Sequence, residues 1–191
     1  MGIGNSFDDV LAAARTGADW AIAVLYRDLN PALLRYLQTQ HRDAAEDIAS
    51  EVWMAVATNL ASFDGGEDGF RSWVFTIARR RAIDYGRSRA RRRTDAAASE
   101  TFDRQAAPDD TAAAGIEDMS AREAIARLTA GLPPEQAEVV LLRVVAGFSV
   151  GEVAELMGRS AGSVRVLQHR ALRRLASKLG PDKEGVEGVT G

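Results

Sequence analysis

The chain has 191 residues, a formal net charge of −3 and no cysteine, which excludes disulfides, thiolate catalysis and cysteine-ligated zinc. Hydrophobic residues make up 46% of it but aromatics only 6%, a balance dominated by Ala, Leu, Val and Ile that favours helices. No basic leader precedes an apolar run within residues 1–30, and nowhere do about eighteen apolar residues stand together, so the sequence reads as a soluble, cytoplasmic protein without membrane insertion.

The small net charge conceals a segregation into blocks. Arg35 to Phe70 carries seven acids and two arginines, a net of −5, and Arg71 to Arg93 carries nine arginines and one aspartate, a net of +8. Thr94 to Ser120 carries seven acids and one arginine, −6, while Arg159 to Lys178 has six basic residues and no acid, +6. Two basic segments separated by acidic ones suit two contacts with a polyanion, with acidic surfaces left for other partners.

In chain order, Trp20, Val24 and Leu25 belong to one helix. Asn30 followed by Pro31 predicts an N-cap with proline at the first helical position, opening a second helix from Pro31 to about Gln38. Asp43 and Glu46 have capping-box spacing, and Ile48, Val52, Ala55, Val56 and Leu60 form the apolar stripe of the helix that follows. Its acids Asp43, Glu46, Asp47 and Glu51 make a candidate protein-binding face. "FDGGEDG" then breaks the pattern.

The stretch "FRSWVFTIARRRAIDYGRSRARRR" predicts a long helix with Phe70, Trp73, Val74, Ile77 and Tyr85 on a core face. Phe75 falls nearly opposite Ile77, beside Arg71 and Arg79. Two readings of it stay open: an exposed ring that stacks on nucleic-acid bases between phosphate-binding arginines, or burial against a neighbouring helix. Thr94 to Ser120, rich in Ala and Asp, predicts a flexible acidic linker.

Beyond it, Pro133 and Pro134 open a helix that ends at Gly147 and Phe148. Ser149 and Glu152 form a capping box for a short helix with Val150, Val153, Ala154 and Met157 inward, closed by Gly158. Ser160 caps a last helix with Val164, Leu167, Ala171, Leu172 and Leu175 inward and Gly162, Val166, His169, Arg170 and Arg173 outward. Short helix, tight turn and longer basic helix together predict a helix-turn-helix. The outward face of the last helix carries no carboxylate, whereas a merely solvated face mixes signs.

His41 and His169 stand in unrelated contexts, and no phosphate loop or nucleophile motif occurs, so neither a metal, a cofactor nor a catalytic group is expected.

Taken together, these segments resemble the extracytoplasmic-function sigma factors of bacterial RNA polymerase. "DAAEDIASEVWMAV" is similar to the family's region 2.2, "FRSWVFTIARRRAIDYGRSRARRR" to regions 2.3 and 2.4, and "LPPEQAEVVLLRVVAGFSVGEVAELMGRSAGSVRVLQHRALRRL" to region 4. The resemblance implies an all-α protein of two small helical domains: residues 1–93 as region 2, a linker over 94–120, residues 121–180 as region 4 and a disordered tail over 181–191. It also implies three partners: core RNA polymerase through its clamp helices, promoter DNA and an anti-sigma factor. Region 2 would bind polymerase through Asp43, Glu46, Asp47 and Glu51 and open the minus-ten element with Arg71, Phe75, Arg79, Arg80, Arg87 and Arg91. The loop Ser62 to Gly69 would help cradle a flipped base. Region 4 would read the minus-thirty-five element with Arg159, Ser163, Arg165, Val166, His169, Arg170 and Arg173.

Two departures stand out. Arg81 occupies a position usually filled by asparagine, and a pair with Asp84 on the inner face of the helix would replace that polar contact. Val166 and Leu167 stand where serine and arginine are frequent. Two other readings compete, a one-component helix-turn-helix regulator with an N-terminal helical sensing domain, and an adaptor whose helices bind other proteins.

Overall fold

A computed structural model describes residues 3–99 and 116–179, and all regular structure in them is helical. Helix α1 spans Phe7–Arg15, α2 Asp19–Gln40, α3 Ala45–Asn59 and α4 Glu67–Ser99. The second half contains α5 (Ile116–Ala130), α6 (Pro134–Val140), α7 (Val150–Met157) and α8 (Ala161–Leu179). Between α6 and α7, Leu141–Val145 form a π-helical turn in which the Ala146 N–H donates to the Leu141 carbonyl, five residues back, at 3.0 Å.

Pro31 lies inside α2 and does not begin a new helix. Asn30 is nearly buried and works sideways: its amide donates to the Tyr26 hydroxyl at 3.0 Å, and its oxygen accepts the Trp53 indole N–H at 2.9 Å. Tertiary partners for Asn30 outweigh the lost helical hydrogen bond at proline. Helix α3 likewise lacks the expected box, because Asp43 sits in a preceding 3₁₀ turn and Ala44 is the N-cap, with no side-chain cap bond. Glu46 and Asp47 still occupy the first turn of α3, where negative charge suits the helix dipole.

Helix α4 continues six residues past Arg93, since "TDAAAS" offers good helix formers and no glycine or proline. Residues 94–99 and 116–120 of the expected linker are therefore helical. The rest of that linker, 100–115, and the tail from 180 onward lie outside the described residues.

One core joins the two halves. It runs from Phe7, Leu25, Leu33 and Val52 through Val74 and Phe75 to Leu142, Phe148, Val153 and Val164, all buried. Helix α4 buries two faces: Phe70 and Val74 lie under α1 to α3, while Phe75, Ala78 and Ala82 extend the buried surface around its circumference. Trp73, Ile77 and Tyr85 are partly buried against the same core. A small satellite of Leu132, Val140, Ala171 and Leu175 fastens α8 to α6.

His41, at the end of α2, packs edge-on against Tyr85 with 5.1 Å between ring centres, and its Nε2–H donates to the Ala82 carbonyl at 2.9 Å. Burial, with the charge of Arg89 adding, lowers its pKa below the usual 6.5 despite that hydrogen bond. The unfolded chain then binds the proton more readily than the folded one. Stability is full above pH 6.5 and is lost as pH falls below it. The expected result is a denaturation midpoint that drops between about pH 7.5 and 5.5 in the wild type and drops less in His41→Gln. Equal slopes would show that His41 is not the titrating group.

Candidate nucleic-acid interface

The helix-turn-helix is built from local chemistry. Ser149 Oγ accepts the Glu152 N–H at 3.2 Å while the Glu152 carboxylate accepts the Ser149 N–H at 2.6 Å, closing both arms of the capping box. Gly158 takes a left-handed conformation (φ 61°), and Ser160 Oγ then accepts the Ser163 N–H at 3.1 Å to start α8. Val164 and Ala171 are fully buried and Leu175 nearly so. Ser163, Arg165, Val166, His169, Arg170 and Arg173 are all exposed, a continuous cationic face with no acid among them. Leu172 points outward too, at 49% exposure, contrary to its expected inward place: the i, i+3, i+7, i+11 stripe of Val164, Leu167, Ala171 and Leu175 holds α8 down. Arg159, in the turn, is exposed and ion-paired with Glu135.

The arginines of α4 divide into two sets. Arg80, Arg87 and Arg91 are exposed. Arg71 and Arg79 are engaged with the second half of the chain. The Arg79 guanidinium holds Glu138 through two bonds, Nε to Oε1 at 2.5 Å and Nη2 to Oε2 at 3.2 Å. Burial opposes its charge, yet the hydrogen bond and charge of Glu138 outweigh that and raise its pKa. Arg71 places its guanidinium 4.4 Å from the centre of the Phe148 ring and donates to the Ala146 carbonyl. Gly147 between them adopts φ 74°, and a Cβ there would come within 3.3 Å of the Arg71 guanidinium.

Phe75 is fully buried, so its exposed, base-stacking reading is excluded in this arrangement. Its ring packs edge-on against Phe148 at 4.8 Å and tilted against Tyr36 at 5.5 Å. Burial, reinforced by the charge of Glu138, pushes the Tyr36 phenol well above its ordinary pKa. Direct packing thus sets the spacing of the two basic segments, although the acidic composition of the linker predicts no fixed spacing. The reason is apolar: two Phe rings on opposite halves leave water together.

The acidic face of α3 is exposed as expected, with Ile48 and Val52 turned into the core. Two acids meet α4 arginines: Glu51 of α3 accepts from Arg81 at 3.0 Å, and Asp43 in the turn before α3 lies 3.8 Å from Arg89. Arg81 is therefore an outward residue whose partner is Glu51, thirty positions earlier, and not Asp84. Such exposed pairs contribute about 0–1 kcal/mol and exchange partners readily.

Between α3, the loop after it and α4 lies an open cleft of about 880 Å³, lined by Phe63, Asp64, Trp73, Ile77, Arg80 and Asp84 among others. Phe63 and Trp73 stack at 5.0 Å with 24° between their planes. A second cleft, about 630 Å³, separates the halves near Asp28, Arg35, Glu67 and Arg71. Partial burial there raises the Asp28 pKa, with Glu67 adding and Arg71 opposing. The residues that sequence reading missed are Glu138, Tyr36 and Phe148. The one local signal was Phe148 itself, a bulky apolar residue directly after a helix-ending glycine, where a side chain usually folds back onto a neighbour.

Residues 25–92 match the Sigma-70 region 2 family and residues 122–175 match the Sigma-70, region 4 family. The two basic faces and the order of these regions define a sigma factor of the sigma-70 class. Within that class, the chain belongs to the ECF RNA polymerase sigma factors. It is 33% identical over 186 residues to ECF RNA polymerase sigma factor SigD of Mycobacterium tuberculosis (strain ATCC 25618 / H37Rv), covering 92% of this chain and 85% of that one. ECF RNA polymerase sigma factor BldN of Streptomyces coelicolor is 30% identical over 179 residues, and the match takes in 91% of this chain but 66% of the length of BldN. The fold is shared with CnrH, solved with the cytosolic domain of CnrY (TM-score 0.67, 20% identity, 92% of this chain and 97% of that one). It is shared as well with the sigma factor RpoE solved with the anti-sigma factor NepR from Bartonella quintana (TM-score 0.65, 23% identity, 84% and 98%). No helix among the described residues is long and apolar enough to cross a membrane.

Proposed function

We infer that this chain is the promoter-recognition subunit of a cytoplasmic RNA polymerase holoenzyme, contacting DNA at two places and carrying no catalytic group of its own. Residues 1–93 supply the region 2 half and residues 121–180 the region 4 half. The observation that carries this reading is the exposed face of α8, which presents Arg165, His169, Arg170 and Arg173 without a carboxylate on the recognition helix of a fully capped helix-turn-helix. Such a face enters a major groove, here at the minus-thirty-five element. Arg80, Arg87 and Arg91 follow the backbone of the opened minus-ten strand, and the Phe63–Trp73 cleft takes one unstacked base. Asp43, Glu46, Asp47 and Glu51 meet the polymerase clamp, where negative charge faces no phosphate.

The same reading gives the closed arrangement a role. Arg71, Phe75 and Arg79 cannot serve DNA while α6 and Phe148 cover them, so the halves separate when polymerase holds each on its own site. An anti-sigma factor would act by keeping polymerase away from these surfaces.

The test is co-purification with core polymerase followed by promoter binding. Arg173→Ala is expected to weaken holoenzyme binding at the upstream element by about 1–3 kcal/mol and either to relax preference at one base, for a base contact, or to reduce the salt slope by about one, for a phosphate contact. A chain that ignores core polymerase but binds a duplex tightly and sequence-specifically on its own is an autonomous regulator, and that result overturns the reading.

A further inference from the structure

Helix α1 lies ahead of both matched regions, the first of which begins at residue 25. Together with the turn Gly4–Ser6 that precedes it, it nevertheless touches both ends of the loop that walls the Phe63–Trp73 cleft. At one end, the Arg15 guanidinium donates to the Phe63 carbonyl. At the other, the Glu67 carboxylate accepts the Gly4 N–H at 2.9 Å and also the Ile3 N–H. The nine residues of α1 span roughly 13 Å, so Arg15 at its end and Gly4 in the turn before its start reach opposite ends of the loop.

Between the anchors the contact is aromatic. Phe7 of α1 packs on Phe70 at 5.8 Å, Phe70 meets Phe63 edge-on at 5.6 Å, and Phe63 stacks on Trp73 in the cleft wall. Phe7 and Phe70 are both buried, which makes this chain of rings a fixed part of the core. The loop closes tightly over it: a Cβ at Gly65 would sit 3.0 Å from the Phe63 ring. The loop's own backbone bonds lie at its edges, Phe63 N–H to the Leu60 carbonyl at 3.2 Å and Phe70 N–H to the Gly66 carbonyl at 2.9 Å.

We propose that α1 and the turn before it form a brace for base selection, with Arg15 and Glu67 as positioning residues that hold the loop over 63–67 in the shape that reads the unstacked base. This rests on the reading of the cleft given above. A base pocket discriminates only when its walls are held before the base arrives, because a wall that relaxes fits several bases equally. Neither Arg15 nor Glu67 lies on the acidic face of α3, so their loss should leave assembly with polymerase intact.

The experiment uses holoenzyme assembled from the full chain. The probe is a pool of fork-junction oligonucleotides randomised over the unpaired non-template segment, and the bound fraction is sequenced. The wild type is expected to enrich one base at one position, and Trp73→Ala to remove that enrichment. Arg15→Ala should lower it roughly fivefold at the same position, the factor expected for one lost hydrogen bond, and Glu67→Ala, which loses two, by at least as much. Arg15→Lys, which keeps a donor, should restore part of it. Holoenzyme yield and upstream duplex preference should stay unchanged, and amide exchange at residues 63–67 should quicken in Arg15→Ala. A selection that depends on Trp73 but is untouched by Arg15→Ala and Glu67→Ala overturns the brace alone. A wild-type profile with no preferred base, or one insensitive to Trp73→Ala, overturns the cleft reading and the brace with it.

Discussion

Phe148→Ala is expected to cost about 3–5 kcal/mol and to split a single unfolding transition into two, the usual magnitude for deleting a fully buried ring. Phe148 fills the junction between the halves, edge-on to Phe75 and under the Arg71 guanidinium, and its carbonyl is held by Arg143. Little of its loss can be made good by local collapse, because the atoms facing it belong to α4 and the two halves would have to move together. The half made of α5 to α8 then melts first, at a lower denaturant concentration than α1 to α4. Calorimetry and denaturant titration followed by far-ultraviolet circular dichroism both report the split. One transition with the wild-type midpoint would show that the ring does not couple the halves.

Glu138→Arg should be next in effect. Arg79 and Glu138 keep 28% and 14% of their side-chain surface exposed, so the pair is largely but not wholly removed from solvent. A second cation opposite Arg79 loses a bidentate bond and adds repulsion. About 2–3 kcal/mol is expected, below the range for a fully buried pair. The exchange Arg79→Glu with Glu138→Arg should recover part of that loss, giving a coupling energy above the roughly 0.5 kcal/mol scatter of independent sites. If the double variant equals the sum of the singles, the contact is incidental and the closed arrangement rests on Phe148 and Phe75 alone.

What could be read from the sequence was what neighbours along the chain decide. The Ser149 and Glu152 box, the left-handed Gly158, the Ser160 cap and the Pro134 start all involve partners within four residues, and each is present. The exposed cationic face of α8 follows from the same periodicity. Distant partners overruled local signals elsewhere. Asn30 and Pro31 have the grammar of a helix start, but Trp53, 23 positions away, holds Asn30 inside α2. Arg81 has an acid three residues on, yet Glu51 reaches it across the groove between α3 and α4. Phe75 was ambiguous for a different reason: helical periodicity assigns one buried face, and α4 has apolar neighbours around more of its circumference. Which helix covers which face is a property of the tertiary arrangement, and no residue on α4 encodes it.

The π-helical turn at Leu141–Val145 holds one residue more than the hydrogen-bonding pattern of an α-helix accommodates. Because that extra residue is taken up within one turn, deleting it would restore ordinary α-helical bonding and leave everything beyond it at nearly the same azimuth. The same deletion in the regular α6 would turn Phe148 away from Phe75 by about 100° and carry the cationic face of α8 with it. The azimuth at which the DNA-reading helix is carried is thus stored as a residue count in α6, with the π turn as the one place where a single in-frame codon loss can be absorbed without resetting it.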